Sequence, residues 1–199
     1  MQGRIPEAHR PAPRAGGQGV KYEVRLSGEG GQGLILAGKI LAEAAAIHAG
    51  LNATQSQSYG PEARGGASRS EVILSDGEID YPKATEVDLM VALTQQSYDT
   101  YRADVKRGGV VIVDSEAVER LGETWYRVIA QPIFRLSEEN FGRILFGNMI
   151  ALGLVAGASG IVPKEAVEAA LVNRVPKGTE ERNLAAFRLG YGLTQPQTG

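Results

Sequence analysis

The residues best suited to chemistry in this chain are backbone-rich rather than acid–base groups. Gly28-Glu29-Gly30-Gly31-Gln32-Gly33 combines four glycines with two polar side chains. Glycines let the backbone turn tightly and approach a ligand closely. Leu34, Ala37, Gly38, Leu41, Ala42 and Ala45 follow at helical spacing, which puts Gly33 at a helix start. A helix start offers unpaired N–H groups and the positive end of a dipole, so the corner is a seat for an anion. A second stretch, Tyr59-Gly60-Pro61-Glu62-Ala63-Arg64-Gly65-Gly66, carries an arginine beside another glycine pair. Arginine presents a rigid fork to phosphate or carboxylate, and Gly65-Gly66 lets a ligand approach the backbone. Thr94 and Gln95 follow the apolar run Leu89–Leu93, at a strand end where ligands collect in α/β sheets.

The motif fits neither common nucleotide site. Gly28, Gly30 and Gly33 satisfy G-x-G-x-x-G, but a dinucleotide site needs an acidic residue about 20 positions later. The run from Asn52 ends in Gln57-Ser58, and the next carboxylate is Glu62. The same glycines fit a phosphate loop, yet Leu34-Ile35 stand where Lys and Ser/Thr would hold the γ-phosphate and its magnesium.

The composition removes further chemistry. With no cysteine, the chain has no thiolate for a disulfide, an iron–sulfur cluster or a nucleophile. Its two histidines, His9 and His48, support neither a histidine metal site nor a Ser-His-Asp array. No residue is assigned as a catalytic acid or base or as a metal ligand. Asp114 and Glu116 read as caps.

These residues need a frame. Tyr22–Leu26 alternates as a strand before the glycine corner, and Asn52–Gln57 supplies a second strand. Ala67–Leu74 is a strand that Asp76-Gly77 turns back toward Ile79–Tyr81, giving a hairpin and a mixed sheet. Leu89–Leu93, Val110–Val113 and Val128–Ala130 are further strands, and Thr94 N-caps a helix over 95–101. Beyond Pro132 the pattern turns helical, with helices over 148–158, from Pro163 to about Val172, and over 180–189. The small residues of 148–158 imply tight helix packing. The expected fold is α/β: a Rossmann-like mixed sheet with a β-hairpin insertion, helices on both faces and a helical C-terminal part.

Residues 1–19, rich in proline, glycine and arginine without periodicity, read as a flexible tail, and 20–199 as one α/β domain. A net charge of −2 gives no reason to expect nucleic acid. There is no apolar run of about 18 residues and no apolar signal-peptide centre, so a cytoplasmic protein away from membranes is expected.

Together the two glycine motifs resemble those of one family. Gly28–Gly33 followed by Ala37-Gly38-Lys39-Ile40-Leu41-Ala42, and Tyr59–Gly66, are similar to the signatures of the γ subunit of 2-oxoacid:ferredoxin oxidoreductases. Asp88–Gln95, Asn148–Gly153 and Asn183–Phe187 are similar as well, and the resemblance covers about residues 22–192. The proline-rich start and Gln131–Arg135 depart from the common pattern.

The resemblance implies a non-autonomous subunit of an oxidoreductase complex. Partner α and β subunits would bind thiamine diphosphate and Mg, a ferredoxin-like subunit would carry [4Fe-4S] clusters, and ferredoxin would accept electrons through the complex. This chain would help enclose coenzyme A and cover the active site, with Gly28, Glu29, Gly30, Gly31, Gln32, Gly33, Arg64, Gly65, Gly66, Thr94 and Gln95 as cofactor-binding residues. The wording of the motifs is most similar to 2-oxoglutarate synthases. Pyruvate, branched-chain 2-oxoacid and indolepyruvate enzymes are the alternatives within the family, and a structural or nucleotide-binding Rossmann-like module is the alternative outside it.

Overall fold

The computed structural model describes residues 20–59 and 67–196; the expected tail, and Arg64, Gly65 and Gly66, lie outside the described residues. A six-stranded sheet runs in the order β2-β3-β1-β4-β5-β6. Its strands are β1 (Lys21–Glu29), β2 (Asn52–Tyr59), β3 (Ala67–Ser75), β4 (Val87–Ala92), β5 (Val105–Asp114) and β6 (Arg127–Gln131). β1, β4, β5 and β6 are parallel neighbours, while β3 is antiparallel to both β1 and β2. The expected mixed sheet is present, but its hairpin lies elsewhere. Ile79–Tyr81 forms no strand, and β3 pairs with β2 instead. Polar Asn52–Tyr59 makes an acceptable edge strand because backbone pairing, rather than side-chain burial, holds it in place.

Alternation explains the two faces. Val24 and Leu26 of β1 join Val72, Leu74, Leu89, Val91 and Ile112 in the larger core. Met90, Ala92, Val111 and Val113 point the other way, into a smaller core with Tyr98. β4 is buried throughout, as an apolar strand covered on both sides should be. β5 extends back to Val105, beyond the apolar run, because a register shift between Val87 and Leu89 accommodates Gly108-Gly109.

The helices are α1 (Leu34–Glu43), α2 (Gln95–Tyr101), α3 (Ile133–Phe141), α4 (Gly147–Ser159), α5 (Lys164–Arg174) and α6 (Glu180–Gly192). Helix α2 covers the smaller core, where the Tyr98 hydroxyl donates to the Leu121 carbonyl at 2.7 Å. The other helices lie on the larger core. Every residue of α4 from Gly147 to Ala156 is buried. Small residues permit this. A Cβ on Gly153 would overlap the Phe187 carbonyl, one on Gly190 the Ile150 carbonyl, and one on Gly157 the Thr194 side chain. Contacts that advance together along both helices make α4 and α6 parallel, with their N-termini at one end. Pro132 stands immediately before α3, so the unusual Gln131–Arg135 segment is a strand end leading into a helix.

On the α2 face the sheet carries buried charge. The Arg25 guanidinium donates to Glu71 at 2.9 Å, pairs with Asp104, and lies 5.2 Å from the centre of the Tyr101 ring. Arg25 and Glu71 are both buried.

Candidate functional site

The glycine motif is divided between a strand and a corner. Gly28 and Glu29 still belong to β1, opposite Ser68 and Ala67 of β3. The chain then turns through Gly30–Gly33 into α1. Gly31 and Gly33 take left-handed φ values of 94° and 74°, which glycine adopts without the penalty other residues face. Glu29, Gly30 and Gly31 are exposed, while Gly28 is buried.

Gln32 closes the inside of this corner. Its Oε1 accepts from the Glu29 N–H at 2.8 Å, in the space that a Cβ on Gly28 would need. No side chain among the described residues caps the start of α1, and its first turn carries no acidic residue. Among the described residues, no side chain takes up the N–H groups of that turn, the kind of group that receives an anion at a helix start. Helix α2 contrasts with it. Thr94 Oγ1 accepts from Ser97 N–H at 3.1 Å, and Ser97 Oγ accepts from Thr94 N–H at 3.3 Å. That capping box satisfies the α2 start internally.

Backbone bonds bring these pieces to one sheet edge. Leu93 N–H donates to the Ser27 carbonyl at 3.0 Å, and Ser27 Oγ donates to the Val91 carbonyl at 2.7 Å. The ends of β1 and β4 thus lie side by side where the chain departs toward opposite edges of the sheet, a binding position in α/β folds. Gln95 is occupied on this edge. Its Oε1 accepts from the Glu119 and Arg120 N–H groups, and its Nε2 lies 2.9 Å from the Arg120 carbonyl. It pins the loop after β5 rather than pointing outward. Buried Asp114 acts as a cap, accepting from Glu116 and Ala117 N–H at 2.9 Å and from Phe134 N–H at 2.9 Å.

The described flanks of the second motif lie beside this corner, where β2 ends at Tyr59 and β3 begins at Ala67. Tyr59 is registered opposite Ser68, and Ala67 opposite Glu29. Both flanks of the second motif therefore lie on the same sheet edge as the first. Neighbouring α4 contributes Asn148, whose Nδ2 donates to the Gly33 carbonyl at 3.3 Å. Among the described residues no cluster of histidine, cysteine and carboxylate groups could hold a metal, and no helix is long and apolar enough to cross a membrane.

Residues 23–193 match the model of the pyruvate ferredoxin/flavodoxin oxidoreductase family. The chain belongs to that family. Within it, this is a γ-type subunit of the 2-oxoacid:ferredoxin oxidoreductases, an enzyme complex. It is 48% identical over 178 residues to the 2-oxoglutarate synthase subunit KorC of Methanocaldococcus jannaschii, spanning 88% of this chain and 95% of that one. The crystal structure of the keto/oxoacid ferredoxin oxidoreductase γ subunit from Geobacter sulfurreducens is 49% identical, with a TM-score of 0.79 over 87% of this chain and 98% of that one. The fold also recurs in the 2-oxoglutarate:ferredoxin oxidoreductase of Magnetococcus marinus, solved with 2-oxoglutarate, coenzyme A and succinyl-CoA bound. There the identity is 22% and the TM-score 0.78, and the match covers 87% of this chain but 31% of the longer chain.

Sequence reasoning did not single out Arg143 or Arg182, which line a cavity beside Asn148. Neither lies in a recognisable motif, and only the meeting of α4 with α6 brings them together.

Proposed function

We propose that this chain is the γ subunit of a thiamine-diphosphate-dependent 2-oxoacid:ferredoxin oxidoreductase acting on 2-oxoglutarate, and that its glycine corner helps enclose coenzyme A. The overall reaction removes carbon dioxide from the 2-oxoacid, passes the released electron pair to ferredoxin, and leaves the acyl group on the coenzyme A sulfur. Companion α and β subunits hold thiamine diphosphate and Mg, and a ferredoxin-like subunit holds the [4Fe-4S] clusters. Thiamine diphosphate supplies the carbanion-stabilising chemistry. This subunit binds, orients and excludes water.

The observation that carries the reading is the exposed corner at Gly30-Gly31, leading into an α1 start that has no acidic first turn and, among the described residues, no side-chain cap. Such a corner attracts the pyrophosphate or 3′-phosphate of coenzyme A. Gly28 and Gln32 shape it, Gly33 starts the helix, and Glu29 forms its outer lip. Thr94 and Gln95 build the adjoining wall. Arg64 with Gly65-Gly66 adds charge from the neighbouring segment. The 2-oxoglutarate assignment is supported by end-to-end similarity to 2-oxoglutarate synthase subunits.

Co-purification tests this reading. A tagged chain should bring down the thiamine-binding subunits in fixed stoichiometry, and the assembly should oxidise 2-oxoglutarate only when coenzyme A is supplied. A chain that remains alone in the presence of those subunits defeats it.

A further inference from the structure

We infer that the outer edge of β2 pairs antiparallel with β2 of a second copy of this chain, joining two sheets about a two-fold axis. The inference does not depend on the coenzyme A reading.

β2 is the terminal strand of the sheet and is bonded on one side to β3. Its other side presents a row of N–H and C=O groups that no described strand takes up. Sheet edges are ordinarily blunted by charge, proline, a bulge or short length. Asn52–Tyr59 has none of these guards. It runs eight residues in unbroken register with β3 and carries neither a charged residue nor a proline. The opposite edge shows the contrast. β6 is five residues long, opens on exposed Arg127 and runs into Pro132.

The charges beside β2 point to its occupant. Ser56 and Ser58 stand opposite Glu71 and Arg69, on the α2 face of the sheet. The segment after β3 forms two cavities with that face. At the Asn52 end, a cavity of about 390 Å³ is lined by Asn52, Thr54, Glu78 and Asp80. Toward Tyr59, one of about 310 Å³ is lined by Ser56, Ser58, Arg69 and Lys83. Glu78, Asp80 and Lys83 make no ion pair among the described residues. Arg69 stands 3.8 Å from Glu71, which Arg25 already holds at 2.9 Å. The edge is thus acidic at one end and basic at the other.

Antiparallel pairing sets these ends against each other. With the axis at Ser56, Thr54 of one copy lies beside Ser58 of its partner. Glu78 and Asp80 of each copy then face Arg69 and Lys83 of the other, twice by symmetry. A two-fold interface requires such self-complementarity. The uncharged centre of the strand meets its own copy without like-charge repulsion, and facing Ser56 hydroxyls can bond. Tyr81 lies between the two charged ends and is 53% exposed. It adds an aromatic of the kind that anchors interfaces.

The test uses the full-length chain in sedimentation equilibrium across micromolar concentrations, with melting recorded for every variant. The parent should dimerise, and more weakly as salt rises. Asp80→Lys and Lys83→Glu should each weaken the dimer on the order of tenfold, because each acts twice across the axis. The variant carrying both exchanges the two ends and should recover most of the loss. Because the chain has no cysteine, Ser56→Cys and Ala130→Cys report which edge meets itself under mild oxidation. Facing residues of antiparallel strands lie within disulfide reach. Cross-linking of Ser56→Cys but not of Ala130→Cys supports the interface. A folded parent that stays monomeric overturns it. So does a dimer indifferent to both charge reversals, or one that cross-links only through Ala130→Cys. Protection of β2 amides from hydrogen exchange that arises only when companion subunits are added also overturns it, and gives the edge to another polypeptide.

Discussion

The side-chain amide of Asn148 donates to the Gly33 carbonyl across 115 residues of sequence, tying the start of α4 to the start of α1. A Cβ on Gly33 would overlap that amide, and the φ of 74° already disfavours any other residue. Gly33→Ala should therefore carry two penalties. The left-handed backbone alone costs about 1–2 kcal/mol, and the overlap adds to it. In an Asn148→Ala background only the backbone penalty remains. The double-mutant cycle, followed by urea denaturation, should show a coupling of about 1 kcal/mol. Strict additivity would mean the two positions do not touch.

Gly30 gives the complementary case. Nothing lies within 4 Å of a Cβ built there, and its φ is not left-handed. Gly30→Ala should melt within about 0.5 kcal/mol of the parent protein. If the corner approaches the carrier closely, the same variant raises the KM for coenzyme A in the complex. An unchanged KM would mean that the corner only packs.

The α4–α6 seam should tolerate no added methyl group. Gly153→Ala and Gly190→Ala would each push a side chain into the backbone of the facing helix. Overpacking of this kind costs about 1–3 kcal/mol, occasionally more. Gly192→Ala, with nothing within 4 Å, is the control and should be neutral in the same thermal melts.

Arg25 is the buried charge whose loss should cost most. Arg25→Met leaves Glu71 buried without its main partner and also removes the stack on Tyr101. Breaking a buried pair from one side costs about 3–5 kcal/mol. Arg25→Met with Glu71→Leu should recover much of that cost, because no orphaned carboxylate remains. Chemical denaturation of the parent and the two variants decides this.

Acid should release one tie between α5 and α6. Hydrogen bonding from Arg188, at 2.8 and 3.1 Å, holds the Glu168 carboxyl below its usual range, against partial desolvation. A depressed native pKa means the tie stabilises fully above the unfolded value near 4.5 and is lost as pH falls through the native one. Glu168→Gln should lower the melting temperature at pH 7, and the gap from the parent should close as pH falls through the depressed native value. A gap that stays constant through the acid range would contradict the assignment.

Local patterns made much of this fold readable. Helix α2 runs over Gln95–Tyr101 with Thr94 as its cap, as its own residues direct, because a capping box is closed within four positions. Asp114 serves as a cap for the same local reason. The return of β3 onto β2 was not readable. Asp76-Gly77 is a sound turn signal, but pairing with distant Asn52–Tyr59 and Lys21–Glu29 prevails over a hairpin into Ile79–Tyr81. The site divides in the same way. The glycine corner is spelled out in consecutive residues, whereas the internal occupation of Gln95 by the loop at 119–120 depends on long-range contacts.

The order of amino acids by itself determined the glycine corner, the strand and helix periods and the family. Each of these depends on residue type within a short window or across a recognisable motif. Only the tertiary structure decided that the β2–β3 connection leaves from beside Glu29, that α4 and α6 run parallel, and that Arg143, Arg182 and Asn148 share one cavity. Those relations join segments tens of residues apart, and packing density, together with the need to pair buried backbone, selects among arrangements that the local pattern leaves equal.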